Sequence, residues 1–97
     1  MYVAAGFIVL DTSECISLKE NRSIVRSLIG KASAKFTLAA LAQVGNANDI
    51  KSASIGAAVI SNDHLIAQTM LSKVLQYLEQ NCFRKILDSK AEIHALV

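Results

Sequence analysis

Lys19, Arg22 and Arg26 are separated by three and four residues, so on a helix they form one continuous line of positive charge. We call these three residues the basic stripe. Such a stripe suits phosphate groups, because Lys and Arg contacts to phosphate supply most of the sequence-independent affinity of proteins for nucleic acids. Three further cations are candidate contacts to an anion or to RNA: Lys51, Arg84 and Lys85.

The alternative interpretation is that these side chains only solvate a helix and a loop, since charged faces without a ligand are common. The formal net charge of the chain is +2, so any attraction to a polyanion must come from local clustering. The chain lacks the aromatic run with which RNA-recognition motifs stack bases. The sequence therefore predicts at most a local site for phosphate or RNA, and it gives no indication of DNA binding.

Residues that could support catalysis or metal binding are few. His64 and His94 have no third ligand at an ordered spacing, and Cys15 and Cys82 match no zinc pattern and have no neighbouring His to activate them. Neither a phosphate-binding glycine loop nor a dinucleotide fingerprint is present in the sequence. We expect no enzyme activity, no metal and no cofactor, and a small hydrolase is suggested only by analogy of fold, which is weak support.

Length and composition indicate one globular domain over residues 1–97, with 53% hydrophobic and 19% charged residues. The opening run "MYVAAGFIVL" has no basic start and no cleavage site, and it is too short to cross a bilayer. We therefore expect a cytoplasmic protein without a membrane partner, in which both cysteines are free thiols.

Hydrophobic periodicity then places the elements that would position the charges. Strands are predicted over residues 2–10, 36–44, 53–60 and 84–95. One helix is predicted to start at Ser17, and a second to cover residues 63–80. Ser17 and Glu20 form a capping box, which predicts where the first helix begins. In the second helix the predicted core face is Ile66, Ala67, Met70, Val74, Tyr77 and Leu78.

The order β-α-β-β-α-β predicts an α+β, ferredoxin-like fold with an antiparallel sheet of strand order 4-1-3-2 and both helices on one face. In that topology the start of the first helix, the turn between the middle strands and the start of the last strand lie at one end of the sheet. Five cations are expected to converge there beside a helix N-terminus: Lys19, Arg22, Lys51, Arg84 and Lys85.

The same topology leaves one face of the sheet without helices. Alternation along the first strand directs Gly6, Ile8 and Leu10 toward the helices and predicts Val3, Ala5, Phe7 and Val9 on the bare face. Ala39 and Leu41, with Ala57 and Val59, are predicted to extend this apolar patch, and Asp88, Lys90, Glu92 and His94 to form its polar rim. A homo-oligomer that packs through this face would bury the patch, whereas a bulge would exchange the two faces. The interface candidates are Val3, Ala5, Phe7, Val9, Leu41 and Val59.

Four segments, "SLKENRSIVRSL", "AQVGNAND", "IGAAVISND" and "LSKVLQYLE", resemble the bacterial YlxP-like family of small uncharacterised proteins. The resemblance implies a single cytosolic ferredoxin-like domain with no established activity and a genomic association with translation and ribosome-maturation factors. The basic stripe matches the family's basic helix. The chain differs at Gln43, where relatives usually have Glu, at Ile50, where they have a nearby aromatic residue, and in having fewer cations on the first strand and hairpin.

Three hypotheses follow from the residues and the resemblance together. The first is an RNA- or ribosome-associated binding module that uses the basic stripe. The second is a homo-oligomeric structural or regulatory protein with no nucleic-acid role, and the third, least supported, is a small hydrolase.

Overall fold

The computed structural model describes residues 1–96, and their elements follow the predicted order. The elements are β1 (Tyr2–Asp11), α1 (Leu18–Lys35), β2 (Ala40–Val44), β3 (Ser52–Ser61), α2 (His64–Gln80) and β4 (Ile86–Ala95). All strand pairs are antiparallel and the sheet order is β2-β3-β1-β4, which is the predicted order 4-1-3-2 stated from the other edge. The ferredoxin-like fold is thereby confirmed.

The first turn of α1 is closed by the residues that the sequence singles out. Ser17 is extended, with φ −154°, and its hydroxyl accepts a 3.2 Å hydrogen bond from the Glu20 N–H. The Glu20 carboxylate accepts from the N–H of Ile16, at 3.2 Å, rather than from the N–H of Ser17 that the capping box predicts. The helix N-terminus therefore has a carboxylate of its own beside it.

The core lies between the sheet and the two helices. Ala4, Ile8 and Leu10 of β1 are fully buried, which confirms the predicted alternation along that strand. From α2 the buried residues are Ala67, Leu71, Val74, Leu75 and Leu78. The prediction for Ile66 is wrong, because that residue is 51% exposed; the buried face is rotated toward Leu71 and Leu75.

The chain between α1 and β2 is not a strand, as residues 36–39 were predicted to be. Phe36 follows the helix and donates its N–H to Ala32 at 2.8 Å, and Ala39 donates to Phe36 at 3.1 Å. The strand begins only at Ala40 and ends before Gly45, whose φ of 72° is left-handed and favours glycine. The edge strand β2 is therefore half the length of β3.

β1 is central, and its pairing with β4 brings distant parts of the chain together. Met1 and Leu96 exchange both backbone hydrogen bonds, with Met1 N to Leu96 O at 3.0 Å and Leu96 N to Met1 O at 2.7 Å. The ladder continues from Tyr2 opposite Ala95 to Val9 opposite Asp88, where a β-bulge interrupts it. Within the part of the chain described, neither helix is both long and apolar enough to cross a membrane.

Candidate binding surfaces

The basic stripe lies on the exposed side of α1, away from α2. Its three residues cover about 60° of the helix circumference and about 10 Å of its length. Lys35, on the opposite flank, lies 4.9 Å from the ring centroid of Tyr77 in α2, so that flank faces the second helix. Arg22 instead reaches the loop after β2, where its Nη2 is 3.5 Å from the Asn48 Oδ1. The stripe therefore lies along the outer side of the domain, beside the β2-β3 loop.

No ion pair neutralises the stripe within residues 1–96. The salt bridges there involve Arg84 with Glu14, and Lys90 and His94 with Glu92. Lys19, Arg22 and Arg26 are all exposed. Their charges are therefore available to a partner.

The structure brings Lys51 and Lys85 to the two sides of the end of β1, as the topology predicts. Asp11 donates its N–H to Lys85 O at 2.8 Å, and Thr12 donates its N–H to Lys51 O at 2.9 Å. Arg84 precedes Lys85 and lies 3.9 Å from the carboxylate of Glu14. We call this region, with Lys51, Arg84 and Lys85, the basic end.

Carboxylates accompany the cations at the basic end. Hydrogen bonds from Ser13 lower the pKa of Asp11, and Lys85 and Arg84 lower it further. The backbone N–H of Lys51 and the hydroxyl of Ser52 lower the pKa of Asp49. The three cations of the basic end, Lys51, Arg84 and Lys85, lie beside three carboxylates, those of Asp11, Glu14 and Asp49, so the charges there balance. The unneutralised charge is thus concentrated on the stripe rather than at Arg84 and Lys85.

Two buried polar residues, Thr12 and Asn21, fix α1 to the sheet beneath the stripe. Asn21 Nδ2 donates to the Thr12 hydroxyl at 2.8 Å and lies 3.3 Å from Asp49 O, while the Thr12 hydroxyl donates to Ile50 O at 2.9 Å. Hydrophobic periodicity does not reveal this cluster, because Asn21 falls on the apolar face of α1 among Val25 and Leu28. The sequence signal for this cluster is a single Asn among the apolar residues of a helix face, because a buried polar side chain requires a hydrogen-bond partner.

The face of the sheet without helices carries the β1 residues predicted for it. Val3, Ala5, Phe7 and Val9 alternate with the buried residues of β1 and are only half-buried. Their β3 partners on this face are Ile60, Ala58, Gly56 and Ser54, and β2 adds Ala40, Ala42 and Val44 through the ladder to β3. We call this surface the open face.

The predictions for Leu41 and Val59 on the open face are wrong. Leu41 pairs with Ala57, and both lie on the side covered by the helices, where Val59 is only 2% exposed. The predictions for Ala57 and Ala39 are also wrong. Ala57 is buried, and Ala39 lies before the first residue of β2. The register of the hairpin places the residues next to them in sequence, such as Ala42 and Ala58, on the open face instead. A shift of one residue in strand register exchanges all side chains between the two faces.

The open face contains a shallow apolar groove of about 600 Å³. Small residues form its floor, including Ala5, Gly56 and Ala58, and the larger Phe7 and Val44 also line it. On the β4 side its lining changes to Lys90, Glu92 and His94. An apolar surface with charged residues along one edge is suited to packing against another macromolecule.

The predicted polar row of β4 lies at this border. Asp88, Lys90, Glu92 and His94 pair with Val9, Phe7, Ala5 and Val3 and therefore share the open face. Lys90 Nζ is 3.3 Å from Glu92 Oε1, and His94 Nε2 is 3.1 Å from Glu92 Oε2. Hydrogen bonds and charge from Lys90, and then from His94, lower the pKa of Glu92.

Within the described part of the chain, the remaining reactive side chains do not assemble into a site. His64 packs edge-on against Tyr2 with ring centroids 5.3 Å apart, on a different side from the His94–Glu92 contact. Cys15 and Cys82 are both free, and Cys15 is buried. Residues 1–96 contain no group of three or more His, Cys, Asp and Glu side chains arranged to hold a metal ion.

Comparison with solved structures shows the fold. A de novo designed protein with a ferredoxin fold aligns at a TM-score of 0.51 and 9% identity, covering 97% of this chain and 83% of its own. SnoaB, a cofactor-independent oxygenase from Streptomyces nogalater, aligns at 0.48 and 11% identity, over 99% and 93% of the two chains. A dimeric ferredoxin-like protein of unknown function from Thermobifida fusca aligns at 0.40 and 14% identity, over 97% and 92%. At such identities the likeness concerns the fold alone.

Comparison of sequences gives a family. No curated protein matches the chain significantly. A family model described as a protein of unknown function, DUF503, matches residues 3–91.

Proposed function

The chain belongs to the DUF503 family of proteins of unknown function, and we propose that it is a cytoplasmic binding module, not an enzyme, that binds RNA or a ribosomal particle through Lys19, Arg22 and Arg26. The observation that carries the proposal is the exposed basic stripe with no ion pair among residues 1–96. Placing three uncompensated cations on one flank produces a local positive potential despite a net charge of only +2.

The surroundings of the stripe support a surface that follows a phosphate backbone rather than a pocket for a single anion. The stripe is convex and continues toward Asn48 of the β2-β3 loop through Arg22. The N-terminus of α1 contributes little, because Glu20 already neutralises it. The resemblance of the stripe to the basic helix of YlxP-like proteins supports the same partner class, since that family is associated with translation and ribosome maturation.

Binding of the wild-type protein to a single-stranded RNA oligonucleotide and to purified ribosomal subunits, across a series of salt concentrations, tests the proposal. Replacing Lys19, Arg22 and Arg26 by Gln should weaken binding at least tenfold and reduce the log–log salt slope by about 2, because each phosphate contact contributes about 0.7 on single strands. Replacing Lys31, Lys35 and Lys73 by Gln removes the same charge from other faces and should have a much smaller effect. Wild-type affinity in the stripe variant, or binding that does not change with salt, would contradict the proposal.

A second candidate function, self-association through the open face, is favoured by a separate observation. The groove and its surroundings are apolar, and Ile60 at their margin is 65% exposed. Contiguous apolar patches beyond about 300 to 600 Å² are rare on soluble monomers and usually mark an interface. Sedimentation at micromolar concentration tests this proposal, and a monomer that stays soluble would contradict it.

A further inference from the structure

The edge strand β4 is paired on one side only. The sheet order places it beside β1 and at the end of the sheet, opposite the short edge strand β2. It is ten residues long, and residues 87–92 are all exposed. Long exposed edges are templates for pairing with another chain, and native proteins commonly protect them.

The hydrogen bonds of the β1-β4 ladder show which backbone groups of β4 remain available. Met1 and Leu96 exchange both bonds. Because such pairs alternate along an antiparallel ladder, His94, Glu92 and Lys90 also direct their N–H and C=O toward β1. The backbone groups of Ser89, Ala91 and Ile93 therefore point away from the sheet. Among residues 1–96, the one group of these that has a partner is the Ser89 N–H, which donates to the Asp88 carboxylate at 2.9 Å.

The charges of β4 select one partner for this edge. On the open face the strand carries Asp88, Lys90, Glu92 and His94, a row in which acidic and basic side chains alternate. When such a row meets a reversed copy of itself, each acidic side chain lies opposite a basic one. Lys90 then faces Glu92 of the second copy, and Asp88 faces His94.

From these two observations we propose that two copies of this chain pair antiparallel along β4, with Ala91 opposite Ala91, to form one continuous eight-stranded sheet. In this register the free groups of Ser89, Ala91 and Ile93 complete about six backbone hydrogen bonds across the axis. The Ser89 N–H transfers from Asp88 to the second copy, which releases that carboxylate for His94. The charged residues occupy the non-hydrogen-bonded positions, where facing side chains are closest.

The neighbouring registers are excluded by the same charges. A shift by two residues keeps the faces matched but places Lys90 opposite Lys90 or Glu92 opposite Glu92 at the symmetry axis. Like charges directly opposite one another destabilise a strand pair. The β-bulge between Val9 and Leu10 limits the regular part of β4 to the stretch that begins at Asp88, and the charge row from Asp88 to His94, whose centre is Ala91, lies wholly within that stretch.

This pairing is independent of RNA binding and of open-face association, because it uses neither the basic stripe nor the groove floor. It aligns the two open faces side by side without covering them. A partner other than a second copy would not be expected to match the reversed charge row.

Charge reversal in trans tests the pairing. By symmetry, Lys90→Glu or Glu92→Lys creates two like-charge contacts per dimer, and each should weaken self-association about tenfold or more in sedimentation equilibrium. An equimolar mixture of the two variants should form a heterodimer about as stable as the wild-type dimer, since every contact is again attractive. Far-ultraviolet circular dichroism of each variant should be unchanged, and Phe7→Lys should leave the heterodimer intact.

A mixture of the two variants that associates no more tightly than either variant alone would overturn the proposal. A wild-type protein that is monomeric at about 100 μM would also overturn it, because weak interfaces still associate at that concentration. Amide exchange gives a second readout that does not depend on substitutions. The N–H groups of Ala91 and Ile93 should exchange slowly in the concentrated protein and quickly on dilution. Equal rates at both concentrations would also overturn the pairing.

Discussion

Asn21, in the first turns of α1, donates a 2.8 Å hydrogen bond to the hydroxyl of Thr12 at the end of β1, and both side chains are fully buried. This bond joins the helix that carries the basic stripe to the centre of the sheet. Because Asn21 also approaches the carbonyls of residues 49 and 50, one side chain fixes the helix, the strand and the hairpin loop relative to one another.

Removing either member of this pair should destabilise the domain. We expect Asn21→Ala and Thr12→Val each to lower the free energy of unfolding by about 1 to 3 kcal/mol, because each removes the short hydrogen bond between two buried polar side chains. The double variant should lose less than the sum, with a coupling of about 1 kcal/mol. Chemical denaturation measures all three; strictly additive losses would mean that the bond contributes nothing. Ser23→Ala, on the exposed side of α1, is the control.

The helix cap gives a second stability prediction. Ser17→Ala removes the acceptor of the Glu20 N–H and should cost about 1 kcal/mol. Ser27→Ala makes the same chemical change at an exposed interior position of α1, where Ala has the higher helix propensity, and should be neutral or slightly stabilising. If thermal melting gives the same result for both variants, the cap does not determine where the helix starts.

Two glycines should respond to alanine with opposite signs. A Cβ at Gly6 would lie 2.5 Å from Lys90 O, so β4 would have to move, and we expect a loss of about 1 to 3 kcal/mol. A Cβ at Gly30 in α1 meets nothing within 4 Å, and Gly30→Ala should stabilise the protein by about 1 kcal/mol. Denaturation midpoints that move in the same direction would contradict the close approach of β1 to β4.

Substitution by lysine separates the two faces of the sheet. Phe7→Lys should leave the domain folded, because Phe7 lies on the open face, and should abolish any association through that face. Val59→Lys should unfold the domain, because it introduces an unpaired charge at a residue that is 2% exposed. Circular dichroism and sedimentation of the two variants check this assignment; a folded Val59→Lys protein would restore the face predicted from the sequence.

Acid sensitivity should depend in part on Asp49. Hydrogen bonds from Lys51 and Ser52 hold the pKa of this carboxyl below its ordinary value of 3.8. A lowered pKa means that the unfolded state binds the proton more tightly, so the stabilisation is present at neutral pH and is lost as the pH falls below about 4. Asp49→Asn should reduce stability at pH 7 and flatten its decline in acid, and Ser52→Ala should give a smaller change of the same sign. Parallel pH profiles for wild type and Asp49→Asn would contradict this linkage.

Much of the fold was predictable because strong local signals agreed with the topology. Ser17 and Glu20 mark the start of α1, and the pattern of Ala4, Ile8 and Leu10 assigns the faces of β1. The alternation of charge along β4 identified its open-face row directly. Each of these signals is a contrast between polar and apolar residues, or between large and small ones, at the period of the element.

The errors occur where that contrast is absent. In β2 and β3 both faces carry small apolar residues, so Ala57 and Ala58, or Leu41 and Ala42, could not be assigned by type. Their faces depend on the register of the hairpin, which is set by a loop of irregular conformation. In α2 the apolar residues extend beyond the buried face, so that Ile66 looked like a core residue. For the surfaces, the sequence identified the cations, but only the fold shows that Arg84 lies near Glu14 while the stripe has no ion-pair partner among residues 1–96.

The reciprocal hydrogen bonds between Met1 and Leu96 also bear on how the chain reaches this fold. They end a ladder whose partners are separated by almost the whole sequence, and closing so large a loop costs conformational entropy before any contact compensates it. High contact order of this kind slows folding. A circular permutant that joins the two ends by a short linker and opens the exposed Asn46–Asn48 loop would turn β4 and β1 into a local hairpin. The permuted chain should fold faster than the native chain. Its unfolding rate would show how much the connecting loop contributes to the stability of the β2-β3 pair.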